Sequence, residues 1–243
     1  MRIIFSRKGF DSSYGGAPSP IVDGRPVSLP IPGSRGETTT YAELGIGQLV
    51  ETTTRGRMSR TASCHHDPMF ADGLCWFGQV NQAQGHLRNQ GVGTGDVFLF
   101  FGLFAEPETA ERHHRIFAAM TVSCFGSPEE IRMHSSWREP PHAHPHLHGD
   151  WEASNTLYHG TASLAQTASP ALRLTHPEGP LNRWQIPSWL KRFGLTYHAD
   201  PARWSGDGTL NSAKRGQEFV CDIGDAEEPR RWLEGIIAEI ERD

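Results

Sequence analysis

Asp96-Val97-Phe98-Leu99-Phe100-Phe101-Gly102 holds an unbroken apolar run closed at each end by a turn residue, too short for an ordinary helix and suited to a strand buried on both faces. A second apolar run, Ile116 to Val122, follows across a charged turn, and the two together predict a central antiparallel pair. Outward from this pair, Arg2 to Ser6 reads as a short buried strand that delivers the polar, Gly-rich loop Arg7 to Gly16 to one edge of the sheet. Glu218-Phe219-Val220-Cys221 and Ala171-Leu172-Arg173-Leu174 read as further strands. Val80, Ala83 and Leu87 recur at spacings of three and four, which predicts a helix from Gln79 to Gln90 stopped by Gly91 and Gly93. Leu233, Ile236, Ile237 and Ile240 define one face of a terminal amphipathic helix over Arg230 to Glu241. Prolines 18, 20, 26, 30 and 32 leave Val27-Ser28-Leu29 fit only for an edge strand, and Pro140, Pro141 and Pro145 make residues 134–151 a loop. The expected fold is α+β: one domain over residues 1–243, a mixed or antiparallel central sheet, flanking helices, and long Pro/Gly-rich loops bearing the site.

The formal charge of -5 and pI near 6.2 give no general attraction to phosphate backbones or anionic membranes, so any nucleic-acid contact must be local. Arg2-Ile3-Ile4-Phe5 lacks the pattern of a secretory signal and no stretch is long enough to span a bilayer, so a cytoplasmic protein is expected. Four scattered cysteines without a C-x-x-C pair argue against a zinc ribbon or redox dithiol. Histidine is the outlier: 13 in 243 residues, which points to metal chemistry.

In Cys64-His65-His66-Asp67-Pro68, imidazole and carboxylate suit iron, manganese or zinc; the plain alternative is a polar turn capped by Asp67. His142, His144, His146 and His148 alternate, so an extended chain would turn all four to one side, as a chelating strip or as a solvated loop. His86 lies on the polar face of its helix. His114 opens an apolar strand on the side of Ile116, Ala118 and Met120, and either histidine can be a satisfied structural residue. Lys8, Ser12 and Ser13 can supply donors around a phosphate, with Asp11 left for a metal or a proton, although the order is not that of a P-loop. His198, Arg203 and Trp204, in the run Tyr197 to Trp204, offer a titratable imidazole, a cation and a stacking platform for a base. Arg215 can hold an anion and Glu218 can serve as ligand or base, with an ion pair at the sheet edge as the alternative. No two-histidine, one-carboxylate motif occurs at helical spacing, so 2-oxoglutarate use has no support.

Read in order, Arg7 to Ser13, Val27 to Pro32, His65 to Pro68, Gly95 to Gly102, Asn155 to Tyr158, Asp200 to Gly208 and Arg215 to Val220 resemble the nucleotide modification associated domain 3 family across nearly the whole chain. The resemblance implies an enzyme of DNA base modification. On the family pattern His65 and Asp67 carry over, His66 replaces an apolar residue, and Met69 stands where a carboxylate is expected. His86, His114 and the His144-Pro145-His146 step also match family positions, whereas His142 and His148 do not.

The expectation is therefore a metal-dependent enzyme, with iron ahead of zinc or manganese, that oxidises a nucleotide or DNA base. His65, Asp67, His86, His114, His144 and His146 form the ligand pool, and Asp11, His198 and Glu218 the catalytic candidates. Lys8, Ser12, Ser13, Asn155, Arg203, Trp204, Arg215 and Gln217 are the substrate-binding candidates. The acidic balance favours a free nucleotide or another small anionic metabolite over duplex DNA, and an oxidase would call on a reductant or partner protein. A metal-dependent hydrolase and a non-catalytic reader of modified bases are the alternatives.

Overall fold

The structure, a computed structural model, describes residues 1–34, 36–214 and 216–242. Strand β1 (Arg2–Arg7) leads into a turn-rich segment carrying β2 (Ser19–Val22), β3 (Arg25–Pro26), β4 (Ile31–Pro32) and helix α1 (Gly47–Thr53). Three strands follow, β5 (Cys64–His65), β6 (Met69–Ala71) and β7 (Leu74–Gln79), and then helix α2 (Asn81–Asn89). The long strands β8 (Val97–Ala105) and β9 (Arg112–Gly126) precede α3 (Pro128–Arg132), β10 (Thr156–Leu164), β11 (Arg183–Gln185) and α4 (Leu190–Phe193). The chain then forms β12 (Thr209–Asn211), β13 (Glu218–Asp222) and α5 (Glu227–Ile240).

The central sheet is mixed, in the order β13-β1-β8-β9-β10-β7-β6, with β2 added to the end of β8. The two apolar runs are its middle: β8 and β9 pair antiparallel from Val97↔Thr121 to Ala105↔Arg112. Along that sheet path β1 lies parallel to β8 and the other neighbours are antiparallel. Ile3, Phe5, Val97, Leu99 and Phe101 bury one face under Trp184, Trp189, Leu190 and the Leu233, Ile236 and Ile240 stripe of α5. Ile4, Phe98, Phe100, Phe77 and Tyr158 fill the other with Leu87 of α2. A separate small core of Phe10, Leu29, Tyr41, Val50 and Cys64 holds the N-terminal loops together and anchors the start of the His65 segment.

Three local expectations are corrected. Ala171 to Leu174 forms no strand: Ser169 caps a 3-10 turn at Pro170–Leu172, and Arg173 makes an isolated bridge to Arg115. Val27-Ser28-Leu29 is irregular, with two-residue strands on either side at Arg25–Pro26 and Ile31–Pro32. A bulge opposite Phe100/Phe101 breaks the alternation of β9, so Ile116 faces the α5 side while Ala118 and Met120 face the α2 side. His114 keeps company with Ile116. Its Nδ1 accepts a hydrogen bond from Trp184 Nε1 at 3.0 Å, and its ring sits edge-on to Phe101.

Burial, with smaller contributions from Arg7 and His113, pushes the His114 pKa down to about 3, so the fold accepts its neutral form. The corresponding stability is whole above the ordinary histidine pKa of about 6.5 and is lost as pH falls toward the folded value. Unfolding free energies from urea titration should therefore drop between pH 7 and pH 5, by roughly 1 kcal/mol per pH unit from this group alone below about pH 6.5. A flat profile in the wild type, or an equal slope in a His114→Asn variant, would contradict this account.

Candidate metal centre

Alternation along the chain sends His65 and Asp67 to one side and His66 to the other. His65 and Asp67 line a cleft of about 640 Å³, whereas His66 lines neighbouring hollows. His146 enters the same cleft from the 134–151 loop. His144 caps a 3-10 turn at Pro145–Leu147, and that turn replaces the extended strip of four histidines: His144 and His146 are buried while His142 and His148 are exposed. One ligand atom from each of His65, Asp67 and His146 lies within 4.8 Å of the other two, the one group of this kind found among the described residues.

The atoms behind these donors are engaged, which leaves one suitable atom of each facing inward. His65 Nδ1 meets Glu37 Oε1 at 2.9 Å, and its Nε2 stands 3.9 Å from Asp67 Oδ2. Asn155 Nδ2 donates to the His146 carbonyl, so Asn155 Oδ1 is turned to accept from His146 Nδ1 at 2.6 Å, which places the His146 lone pair on Nε2. Asp67 Oδ1 accepts from the Gly78 amide at 2.7 Å and lies 3.2 Å from His144 Nε2, leaving Oδ2 for a cation. Trp151 stacks on the His146 ring at 4.1 Å. Gly78 makes room for the assembly, since a Cβ there would stand 2.1 Å from His146 Cγ.

The protonation of Asp67 and His146 matches ligand duty. Burial opposes ionisation of Asp67, but the His144 hydrogen bond and the surrounding imidazoles outweigh it and hold the carboxyl far below its usual range. Burial pushes His146 down to about 4, leaving a neutral imidazole at pH 7. The His65 and His146 imidazoles and the Asp67 carboxylate, each oriented from behind by a second group, form a set whose chemistry fits a divalent transition metal. The motif is absent at helical spacing because two separated loops build it.

The remaining candidates fall into three places. Lys8, Asp11, Ser13 and Gln217 line the same cleft with Arg7 and Lys214. Of these, Asp11 Oδ1 accepts from the Ser13 and Tyr14 amides, and Lys8 Nζ is committed to Glu218 Oε1 at 2.9 Å; Ser12 is exposed on the adjoining turn. Asn155 serves His146, and His144 stands behind Asp67. Outside the donor set, His114 is bonded to Trp184, His86 to Thr196 Oγ1, and His198 spans Thr196 O and the Ala213 amide with both ring nitrogens. Trp204 packs on the core and donates to His198 O, while Arg203 donates to Asn211 O. Met69 is fully buried in an apolar cluster with Trp76 and Leu157. Arg215 lies outside the described residues.

Glu37, Gly78 and Trp151 are not among the sequence candidates: they act across large sequence separations and carry no local pattern.

Fold and donor set together define an α+β protein with two histidines and one carboxylate that could hold a metal ion at the wall of a polar cleft. The chain belongs to the nucleotide modification associated domain 3 family, which it matches over residues 2–222. No curated protein and no solved structure matches it. Among the described residues no helix is long and apolar enough to cross a membrane.

Proposed function

We propose that this chain is a metal-dependent enzyme that oxidises a nucleotide or a DNA base, with iron as the metal and His65, Asp67 and His146 as its ligands. The observation that carries the reading is the convergence of those three donors, each held by Glu37, by Gly78 and His144, or by Asn155, at the wall of a cleft that also presents Arg7, Lys8 and Lys214. His65, Asp67 and His146 would hold the iron, which when bound would supply redox chemistry. The protein's part is to orient the donors, keep Asp67 and His146 deprotonated and hold an anionic substrate beside them. The net charge of -5 favours a free nucleotide over long duplex DNA. Residues 1–243 act as one cytoplasmic unit in this reading, with electrons supplied by a small reductant or a partner protein.

Tag-free protein purified without oxygen is expected to carry stoichiometric iron and, with a reductant, to consume oxygen when its nucleotide substrate is added. Folded protein that is metal-free and cannot be reconstituted would sink the metalloenzyme reading in favour of a base reader. Metal-dependent turnover without oxygen uptake would instead make it a hydrolase, for which the same donor set would serve to activate water.

A further inference from the structure

Beside the metal cleft, and sharing Gln79, Val80, Gly216 and Gln217 with it, opens a second hollow of about 970 Å³ whose other walls include Asn81, Gln82, His86, Tyr197 and Glu218. Its chemistry differs from that of the cleft. Side-chain amides predominate among its polar groups, no lysine or arginine lines it among the described residues, and its anionic group is Glu218. That carboxylate is 1% exposed; Oε1 accepts from Lys8 Nζ and from Gln79 Nε2 at 2.6 Å, while Oε2 is buried without a hydrogen-bond partner. A buried acceptor lacking its donor is costly, of order 1–3 kcal/mol, and a ligand N–H is one way of supplying that donor.

Another part of the wall is aromatic. Tyr197 leaves its ring half in solvent, 4.7 Å from the His86 ring, on a backbone with φ +67° that a bulky side chain rarely adopts. Glycine would hold that turn without strain, so a tyrosine there points to use of the ring. Gly216, with φ +96°, lies directly beneath, where a Cβ would already touch Tyr197 at 3.4 Å.

We propose that this hollow is a nucleobase subsite, in which a base lies against the face of Tyr197 and donates an edge N–H to Glu218 Oε2. Amide side chains match the mixed donors and acceptors of a base edge, and among the described residues lining the hollow there is no lysine or arginine to hold a phosphate. The phosphate end is thereby directed to the neighbouring cleft, where Arg7 and Lys214 lie. The assignment rests on the nucleotide reading above and adds to it where the base sits.

Calorimetric titration of the full-length protein as purified, with adenosine, guanosine, cytidine and thymidine and with ribose as control, tests it. At least one nucleoside should bind saturably and ribose should not. Tyr197→Ala should weaken that binding by about tenfold or more and Tyr197→Phe should keep it, as loss and retention of a stacking face require. Glu218→Gln should weaken it too, with thermal melts confirming that each variant is folded. Binding should survive His65→Ala, and metal content should survive Tyr197→Ala, so failure of the metal site and failure of the base subsite give different results. The proposal is overturned if no nucleoside saturates, if ribose binds as well, or if folded Tyr197→Ala binds like the wild type.

Discussion

Asp67→Ala is expected to give a folded protein that no longer retains metal. The carboxylate supplies the charged donor of the set, and its Oδ1 also ties the Gly78 amide and His144 to the site. Loss of a supporting partner alone typically lowers metal affinity about 10- to 100-fold, so loss of the ligand itself should exceed about 100-fold and abolish metal-dependent activity. The unpaired Gly78 amide and His144 should cost a further 1–3 kcal/mol or so of stability. Asp67→Asn separates the two roles, since it can still accept from Gly78 but offers the metal no charge. Competition with a chromophoric chelator and elemental analysis measure the effect. Stoichiometric metal in folded Asp67→Ala would remove Asp67 from the ligand set.

Lys8→Met should be among the most destabilising changes in the chain. Glu218 is all but inaccessible, and the Lys8 ammonium, 2.9 Å away, is its cationic partner, itself seated 4.3 Å from the centre of the Phe77 ring. Removing one member of a buried pair leaves an uncompensated charge and typically costs about 3–5 kcal/mol. Replacing both, as Lys8→Met with Glu218→Leu, should recover most of that loss, because the desolvation cost disappears along with the attraction. Urea unfolding of the two single variants and the double variant gives the coupling directly. A Lys8→Met cost below about 1 kcal/mol would mean that the pair is solvated rather than buried.

The parts of the fold that were legible are those in which local pattern and tertiary role coincide. The Val97 to Phe101 and Ile116 to Val122 runs are apolar because they form the middle of the sheet, and α5 shows its stripe because one face meets Trp184 and Trp189. Misreadings arose where a single residue breaks a period: the bulge at Phe117 divides His114 and Ile116 from Ala118 and Met120, and Pro145 folds the alternating histidines into a turn. In the candidate site, His65, Asp67 and His146 were visible as residue types, but their meeting was not. It depends on Cys64 in a small satellite core, on β7 passing between the loops, and on Glu37 and Asn155 holding the rings from behind. Such partners are chosen by three-dimensional proximity, and nothing in their neighbours marks them.

Gly78 carries a different kind of constraint from the donors. A ligand can be exchanged for another of similar chemistry, aspartate for glutamate or histidine for asparagine, with a graded effect. The space above Gly78 admits no such gradation, because the His146 ring already occupies the place of a first side-chain carbon. A homologue with every donor intact but alanine at this position would look competent to any search for metal-binding residues, yet it would have to displace His146 in order to fold. For sorting relatives of this chain into active and inactive members, an absent methyl group is therefore as informative as a present imidazole.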